Sequence, residues 1–450
     1  MVERRAKAAR RARMLAFSVL LAMLASVNVP ASAQVIGSNG EPVKGRRAPD
    51  TAVRIGQPLP RNEPIAPDQR SAFPGQTRAP AVVTRTPIDA KVVTRTLAYP
   101  WGLAFMGDGR AIVTEKPGTM RVIDLASGTI VSGVLGVPRV VYGSDAGLLD
   151  IVTDPRFATN GRIYFTYVEP RGEGESGIVV ARARLKFEDA QSGPDYSLED
   201  VTTLLRVAPG INGQKHFGSR LAFDRDGYLY VSLAERFYSP YRDEAQSLYS
   251  WLGKILRVDT DGKPAPGNPY ATNQNAENST RPEIWSYGQR NPQGLAFHPE
   301  TGDLWNGEHG PQGGDEINLI RRGANYGWPL VAYGTNYDGT PIHGGRSRLE
   351  GTEQPRYYWD PAIGPGGMGF YSGSLIPEWK NNLFVAALAG EHLARLVIRG
   401  DKVVGEERLL QDQHQRIRDA KTGPDGALWV ITDEADGRLI RLAPRTGAVN

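Results

Sequence analysis

Short runs of alternating apolar and polar residues recur from residue 93 onward, each broken by a tight turn. The recurring unit reads small-Leu-Ala-Phe, a turn, then a β-rich run. It occurs as GLAFMGDGRAIVTE (102–115), GLLDIVTDPRFATNGRIYFTY (147–167), SRLAFDRDGYLYVSLAE (219–235) and GLAFHPETGDLWNGE (294–308). Two later copies are GSLIPEWKNNLFVAAL (373–388) and KTGPDGALWVITDE (421–434). Asp-Gly, Asn-Gly and Gly-Asp turns flanked by alternating apolar residues are strong hairpin signals. Tyr228 with Tyr230, and Trp429 with Ile431, stand on alternate positions, as half-buried strands require. The repetition predicts an all-β chain folded as a six-bladed β-propeller, whose blades cover each other's faces around a central channel. A large β-sandwich or two smaller barrels is the other architecture that the pattern permits. Helix is expected only for about one turn at Asp243–Leu248. The stretches 168–218, 236–284 and 329–367 read as insertions that line one mouth of the channel.

Composition supports this picture: 52 glycines and 33 prolines suit short strands joined by turns. With no cysteine, disulfides, thiolate metal ligands and cysteine nucleophiles are excluded. The formal charge of +4 comes from the first 33 residues, which hold six basic residues and one acid. Without that +5 the remainder is 4 − 5 = −1, with no electrostatic footprint for nucleic acid. The same stretch has a basic start, an apolar run from Met14 to Leu24 and a small-x-small site at Ala31-Ser32-Ala33. Residues 1–33 therefore read as a secretory signal peptide, too short to span a bilayer with ease. Arg10-Arg11 raises twin-arginine export, although the residues after it fit that pattern poorly. A periplasmic or secreted protein without stable membrane insertion is expected. Residues 34–86 are rich in Pro, Arg, Ala and Gly and read as a disordered linker. Residues 87–450 are assigned to the propeller.

The candidate chemistry lies in loops beside the repeated units. His216, in GQKHFGSRLAF, precedes a blade's inner strand and could accept a proton at the channel mouth. A structural histidine bonded to a neighbouring loop is the alternative. No HExxH or other paired-histidine spacing is present, which argues against zinc. Arg290-Asn291 also stands at the start of a unit. Arg416 and Arg418, two apart, face one way in an extended strand and form a fork for carboxylates or phosphates. Carbonyls at Gly310-Pro311 with the Asp315-Glu316 carboxylates offer hard oxygens that suit calcium. Gly364–Gly369 spells GxGxxG, but no βαβ unit surrounds it and a strand is expected to begin at Phe370-Tyr371. The GGDE run at 313–316 lacks the α/β setting of a cyclic-dinucleotide synthase.

At these residues the chain resembles the soluble quinoprotein sugar dehydrogenases, the glucose/sorbosone dehydrogenase family, and within it the aldose sugar dehydrogenase branch. The resemblance covers about residues 90–445 and rests on PWGLAF, GLLDI, HFGSRLAF, LGKILRVDTDG, GQRNPQGLAF, EHGPQGGDEINLI, NYGWP and RIRD together. It implies oxidation of an aldose to its lactone, with pyrroloquinoline quinone and calcium as cofactors. An external acceptor, a quinone or a cytochrome, would take the electrons. By resemblance His216 is the base, Arg290 and Asn291 meet the quinone edge, and Arg416 and Arg418 pair with cofactor carboxylates. The carbonyls of Gly310 and Pro311 would hold the cofactor's calcium, Glu316 and the Tyr326 carbonyl a second one, and Gln246 would lie near the substrate. Two positions depart from the family pattern. Asp145 replaces a glutamine and is expected near His216; Ala389 replaces a cofactor-binding lysine. A calcium-dependent lactonase and a non-catalytic binding module on the same scaffold are the rival functions.

Overall fold

The computed structural model describes residue 49 and residues 52–190, 193–271 and 280–445. The signal-peptide reading falls outside these residues. Six antiparallel four-stranded units follow one another along the chain, so the propeller expectation holds. Their innermost strands are Pro100–Phe105, Leu148–Thr153, Gly218–Phe223, Pro292–Phe297, Pro365–Phe370 and Ile417–Thr422. Each packs beside the next, and the last beside the first, which closes a ring. Blade 6 is completed by Ile88–Leu97, which pairs with Gly437–Pro444 and joins the two ends of the propeller. Blades 1 and 2 share one continuous sheet through a parallel pairing of Ile130–Leu135 with Gly193–Arg206.

Half-burial was the wrong expectation for the second strands. Leu229–Leu233, Leu383–Ala387 and Leu428–Thr432 are buried at every residue. Neighbouring blades cover both faces of these strands, so burial replaces alternation. The insertion reading of 168–218 is also corrected. Most of it is the long outer part of blade 2, Glu175–Ala190 paired with Gly193–Arg206. Its exposed face carries charges that pair across strands, Arg184 with Glu199 at 2.8 Å and Lys186 with Glu199 at 2.9 Å. The strand signal here, Ala181, Ala183 and Leu185 alternating with Arg182, Arg184 and Lys186, lies outside the repeated small-Leu-Ala-Phe unit. The strand Lys254–Val258 likewise lies inside 236–284, and Tyr357–Trp359 inside 329–367. The expected helical turn is a 3₁₀ turn at Tyr241–Gln246.

Glycines set how tightly the inner strands approach. A Cβ on Gly366 would sit 2.6 Å from the Arg418 carbonyl, and one on Gly367 would sit 2.0 Å from the Asp419 carboxylate. The GxGxxG run is thus the blade 5 inner strand itself, ending at Phe370 rather than beginning there. Deeper in the channel, Arg220 donates to Asp150 at 2.8 Å, to Asp419 at 3.0 Å and to the Gln293 carbonyl at 2.9 Å. It also stacks 4.1 Å over Trp101. These partners come from blades 2, 6, 4 and 1, so one buried guanidinium from blade 3 ties five inner strands together.

The disorder expected for 34–86 is contradicted where the chain is described. Residues 52–86 form a strap along blades 4 and 5, with Leu59, Gln76, Ala79 and Ala81 buried. Backbone pairing of the strap, not apolar content, supplies the order that composition concealed. Asp360 accepts the Ile65 and Ala66 amides at 2.9 and 3.0 Å, and Glu407 accepts the Thr84 amide and hydroxyl at 2.6 and 2.7 Å. Asp360→Ala is expected to free the strap near residue 65. Limited proteolysis should then cut there faster, and the unfolding free energy should fall by about 1.5–3 kcal/mol for each charge-assisted bond lost. Unchanged proteolysis would refute the strap's dependence on Asp360.

Candidate active site

In five of the six blades the start of the inner strand pairs with the end of the second strand: Pro100 with Glu115, Gly218 with Leu233, Pro292 with Glu308, Pro365 with Ala387 and Ile417 with Thr432; in blade 2 Leu148 pairs with Tyr167, midway along a longer second strand. Residues flanking those pairs therefore gather at one end of the channel. There a chain of contacts runs round the rim. The Glu235 carboxylate meets His216 Nδ1 at 3.0 Å, and the Glu235 amide donates to the Arg290 carbonyl at 3.1 Å. Arg290 Nη1 donates to the Gly310 carbonyl, and the Gly310 amide donates to Asp315 at 2.8 Å. The other Asp315 oxygen accepts the Ile363 and Gly364 amides, both at 2.6 Å. The Ile363 carbonyl accepts the Ala389 amide, and the neighbouring Leu388 carbonyl accepts Arg416 Nη1 at 3.2 Å. Arg416 and Arg418 share one oxygen of Asp433, at 3.4 and 2.7 Å. Tyr99 bridges the Glu434 carbonyl to the Lys116 amide, and Lys116 Nζ donates to the Ser144 carbonyl at 2.7 Å. Asp145 then accepts the His216 amide at 3.0 Å, which closes the loop.

His216, Arg290, Asn291, Arg416, Arg418, Asp145 and Gly310 are thus brought together. Two assignments change in detail. Asp145 lies beside His216 but holds its backbone, while Glu235 orients the ring. Gln246 is one layer back, exchanging hydrogen bonds with Asn325 at 2.7 and 3.0 Å and donating to the Trp328 carbonyl at 2.7 Å. Behind the rim, Trp328 lies between Arg242 and Arg290, 4.7 and 5.0 Å from its ring. Asn291 is buried, and its side-chain oxygen accepts the Gly218 amide at 3.2 Å.

The electrostatics favour a neutral imidazole at His216. Burial lowers the His216 pKa below 6.5, against the pull of Glu235. Burial opposes ionisation of Glu235, but His216 and Arg290 outweigh it and hold that carboxyl below its ordinary value. An ionised Glu235 can only accept, so Nδ1 carries the proton and Nε2 keeps its lone pair. The Phe237 ring meets the imidazole edge-on at 4.9 Å. Across the rim, burial opposes a charged Asp433, yet Arg418, Lys116 and Arg416 hold its pKa well below the usual range. Arg290 and Arg418 each keep a buried Nε–H that no protein group accepts.

The metal candidates divide. Among the described residues no group of three or more His, Asp or Glu side chains could hold a metal ion. The Gly310 carbonyl is turned toward Arg290, while Pro311 follows it in the same buried turn. Glu316 pairs with Glu308 across the sheet, and Asn318 donates to both carboxylates, at 3.3 and 2.9 Å. Burial and then the facing Glu308 push the Glu316 pKa well up, and burial raises Glu308 to about 7. The Tyr326 amide donates to the Tyr287 carbonyl, next to the turn that enters blade 4.

Glu235, Asp433 and Lys116 were not identified from sequence. A signal existed: four of the repeated units carry an acid at the end of the second strand or within two residues beyond it, Glu115, Glu235, Glu308 and Asp433.

The Glucose / Sorbosone dehydrogenase family profile matches residues 97–441. The aldose sugar dehydrogenase YliI of Escherichia coli is 39% identical over 360 residues, 80% of this chain and 93% of that protein. A solved glucose dehydrogenase structure superposes with a TM-score of 0.73 at 42% identity, over 78% of this chain and 99% of its own. The PQQ-bound aldose sugar dehydrogenase of Streptomyces coelicolor superposes with a TM-score of 0.63 at 28% identity, over 80% of this chain and 99% of that one. The chain belongs to the glucose/sorbosone dehydrogenase family, and it is a sugar dehydrogenase.

Proposed function

We propose that the rim binds pyrroloquinoline quinone and oxidises an aldose at its anomeric hydroxyl to the lactone. The observation that carries this reading is the juxtaposition of a neutral, carboxylate-oriented imidazole with four cations on one rim: Arg290, Arg416, Arg418 and Lys116. The donor set fits a tricarboxylate. The Nε–H groups of Arg290 and Arg418 lack protein acceptors, and guanidinium groups match carboxylates closely. When bound, the quinone supplies the hydride acceptor. His216 Nε2 takes the anomeric proton, and Glu235 holds the ring in the tautomer that keeps this nitrogen free. Arg290 stabilises negative charge developing beside it. Arg416 and Arg418 hold cofactor carboxylates, and Lys116 supplies positive charge from the blade 1 side, where Ala389 offers none from blade 5. The redox balance requires an external two-electron acceptor, a quinone or a cytochrome.

Calcium belongs to the same reading. The facing Glu308 and Glu316 carboxylates suit a divalent cation, which would offset the burial that raises both pKa values and the charge of Glu308 that adds to it at Glu316. Glu316 with the Tyr326 carbonyl would hold that ion, and the carbonyls of Gly310 and Pro311 would serve one at the cofactor. A signal peptide at 1–33 would send the enzyme to the periplasm or outside the cell. Among the described residues no helix is long and apolar enough to cross a membrane.

The test is reconstitution of the mature protein with quinone and calcium, followed by aldose and an artificial electron acceptor. Dye reduction that needs quinone supports the proposal; lactone hydrolysis without quinone, or no reaction at all, rejects it. The pH profile gives a second expectation. The base works when neutral, so kcat/KM should fall on the acid side with an apparent pKa below 6.5. Because burial lowers this pKa in the folded protein, His216 also withdraws stability as the pH falls below its unfolded value. Glu235→Gln removes the main charge that raises the His216 pKa. The acid limb should move lower still while the plateau rate drops; an unmoved limb would dismiss Glu235 as the orienting group.

A further inference from the structure

An open cleft lined by charged and aromatic side chains lies away from the reactive rim, between the strap and blades 4 and 5, with a volume of about 490 Å³ that includes solvent at its mouth. Arg61, Arg78 and Arg408 line it, with Glu406, Tyr357 and His392. Each arginine is anchored through one Nη1: Arg61 to the Asp360 carbonyl, Arg78 to the Leu59 carbonyl at 2.6 Å and Arg408 to the Pro60 carbonyl at 2.8 Å. A guanidinium has five N–H groups, so most donors remain. The nearby carboxylates are already engaged. Glu406 accepts Tyr357 Oη at 2.7 Å and Trp359 Nε1 at 2.9 Å, and Asp360 accepts the Ile65 and Ala66 amides. Three guanidinium groups face two carboxylates, leaving one positive charge in excess.

Two buried atoms have no protein partner, Arg408 Nε and His392 Nε2. His392 is 2% exposed. Its Nδ1 stands 2.8 Å from the Gly390 carbonyl, which can only accept, so Nδ1 carries the proton. Nε2 is then an acceptor open to a donor from a bound molecule. Burial, followed by the charge on Arg408, lowers the His392 pKa to about 3, consistent with a neutral ring.

We infer that this cavity binds a small oxyanion that also bears a hydroxyl group, its anionic oxygens on Arg78 and Arg408 and its O–H donating to His392 Nε2. Dihydrogen phosphate and a hydroxycarboxylate such as gluconate share that chemistry. Acetate carries the charge without the donor. The inference stands on the cavity alone and does not depend on the redox reading.

The test is titration calorimetry of the full chain with inorganic phosphate, gluconate and acetate in separate runs. Saturable binding of phosphate, of gluconate or of both is expected, with acetate at least tenfold weaker. Phosphate alone identifies the inorganic source, and gluconate alone the sugar-acid source. Arg78→Met and Arg408→Met should each weaken binding tenfold or more. Both residues lie outside the reactive rim, so retained quinone-dependent dye reduction shows that the variants are folded. His392→Gln, which keeps an acceptor, should retain binding, whereas His392→Phe should abolish the preference over acetate. No binding of either hydroxyl-bearing anion overturns the inference. So does binding that survives both arginine substitutions unchanged, or acetate binding as tightly as phosphate and gluconate.

Discussion

His216→Ala is expected to lower aldose oxidation by about 10²–10⁴-fold, the usual contribution of a positioned general base, while quinone affinity stays nearly unchanged. The separation follows from the geometry. The ring's contacts are Glu235 and Phe237, whereas the cationic groups that would hold the cofactor come from blades 1, 4 and 6. Removing the imidazole takes away the proton acceptor and leaves the carboxylate-binding groups in place. Steady-state dye reduction beside a quinone titration monitored by absorbance measures both quantities. A variant that turns over at the normal rate would move the base elsewhere; one that cannot bind quinone would make His216 a cofactor ligand.

Arg220→Met should be the most destabilising single change in the channel, by about 3–5 kcal/mol, the cost of leaving a buried charge without its partner. The side chain is almost completely buried, and the substitution strands the Asp150 carboxylate, whose pKa burial already raises. Asp419 keeps a weaker contact with Lys421 at 3.6 Å, so the loss falls mainly on Asp150. Urea denaturation should show the midpoint fall, and Asp150→Asn added to Arg220→Met should recover part of it. If the double variant is no more stable than the single, the cost does not arise from the stranded carboxylate. The cluster also explains how a propeller made of separate sheets keeps its channel end rigid: the rim that carries His216 and Arg418 is built on the strands that Arg220 ties together.

The sequence disclosed the scaffold unevenly. Inner and second strands were legible because tight turns and apolar repeats mark them. Outer strands such as Glu175–Ala190 were not, because they lie outside the repeated small-Leu-Ala-Phe unit, although Ala181–Glu188 alternates apolar and charged residues. The strap at 52–86 escaped notice because its order comes from backbone amides meeting Asp360 and Glu407, and distant partners leave no local pattern. The candidate site shows the same division. His216, Arg290, Arg416 and Arg418 stand out by residue type and by their position before each unit. Glu235 and Lys116 matter through what they touch, and a touch across blades is invisible in one dimension. Asp145 shows the limit most clearly: its nearness to His216 was foreseen, but which atom it would hold was not.

The central claim is that the rim assembled by His216, Arg290, Arg416 and Arg418 is the seat of a quinone cofactor. The most direct measurement is a crystal structure of the protein soaked with pyrroloquinoline quinone and calcium. The account predicts the cofactor at the rim, carboxylates on Arg416 and Arg418 and quinone oxygens within reach of Arg290, with His216 Nε2 facing the substrate space. Quinone bound on another face, or a rim that stays empty at saturating quinone, would contradict it.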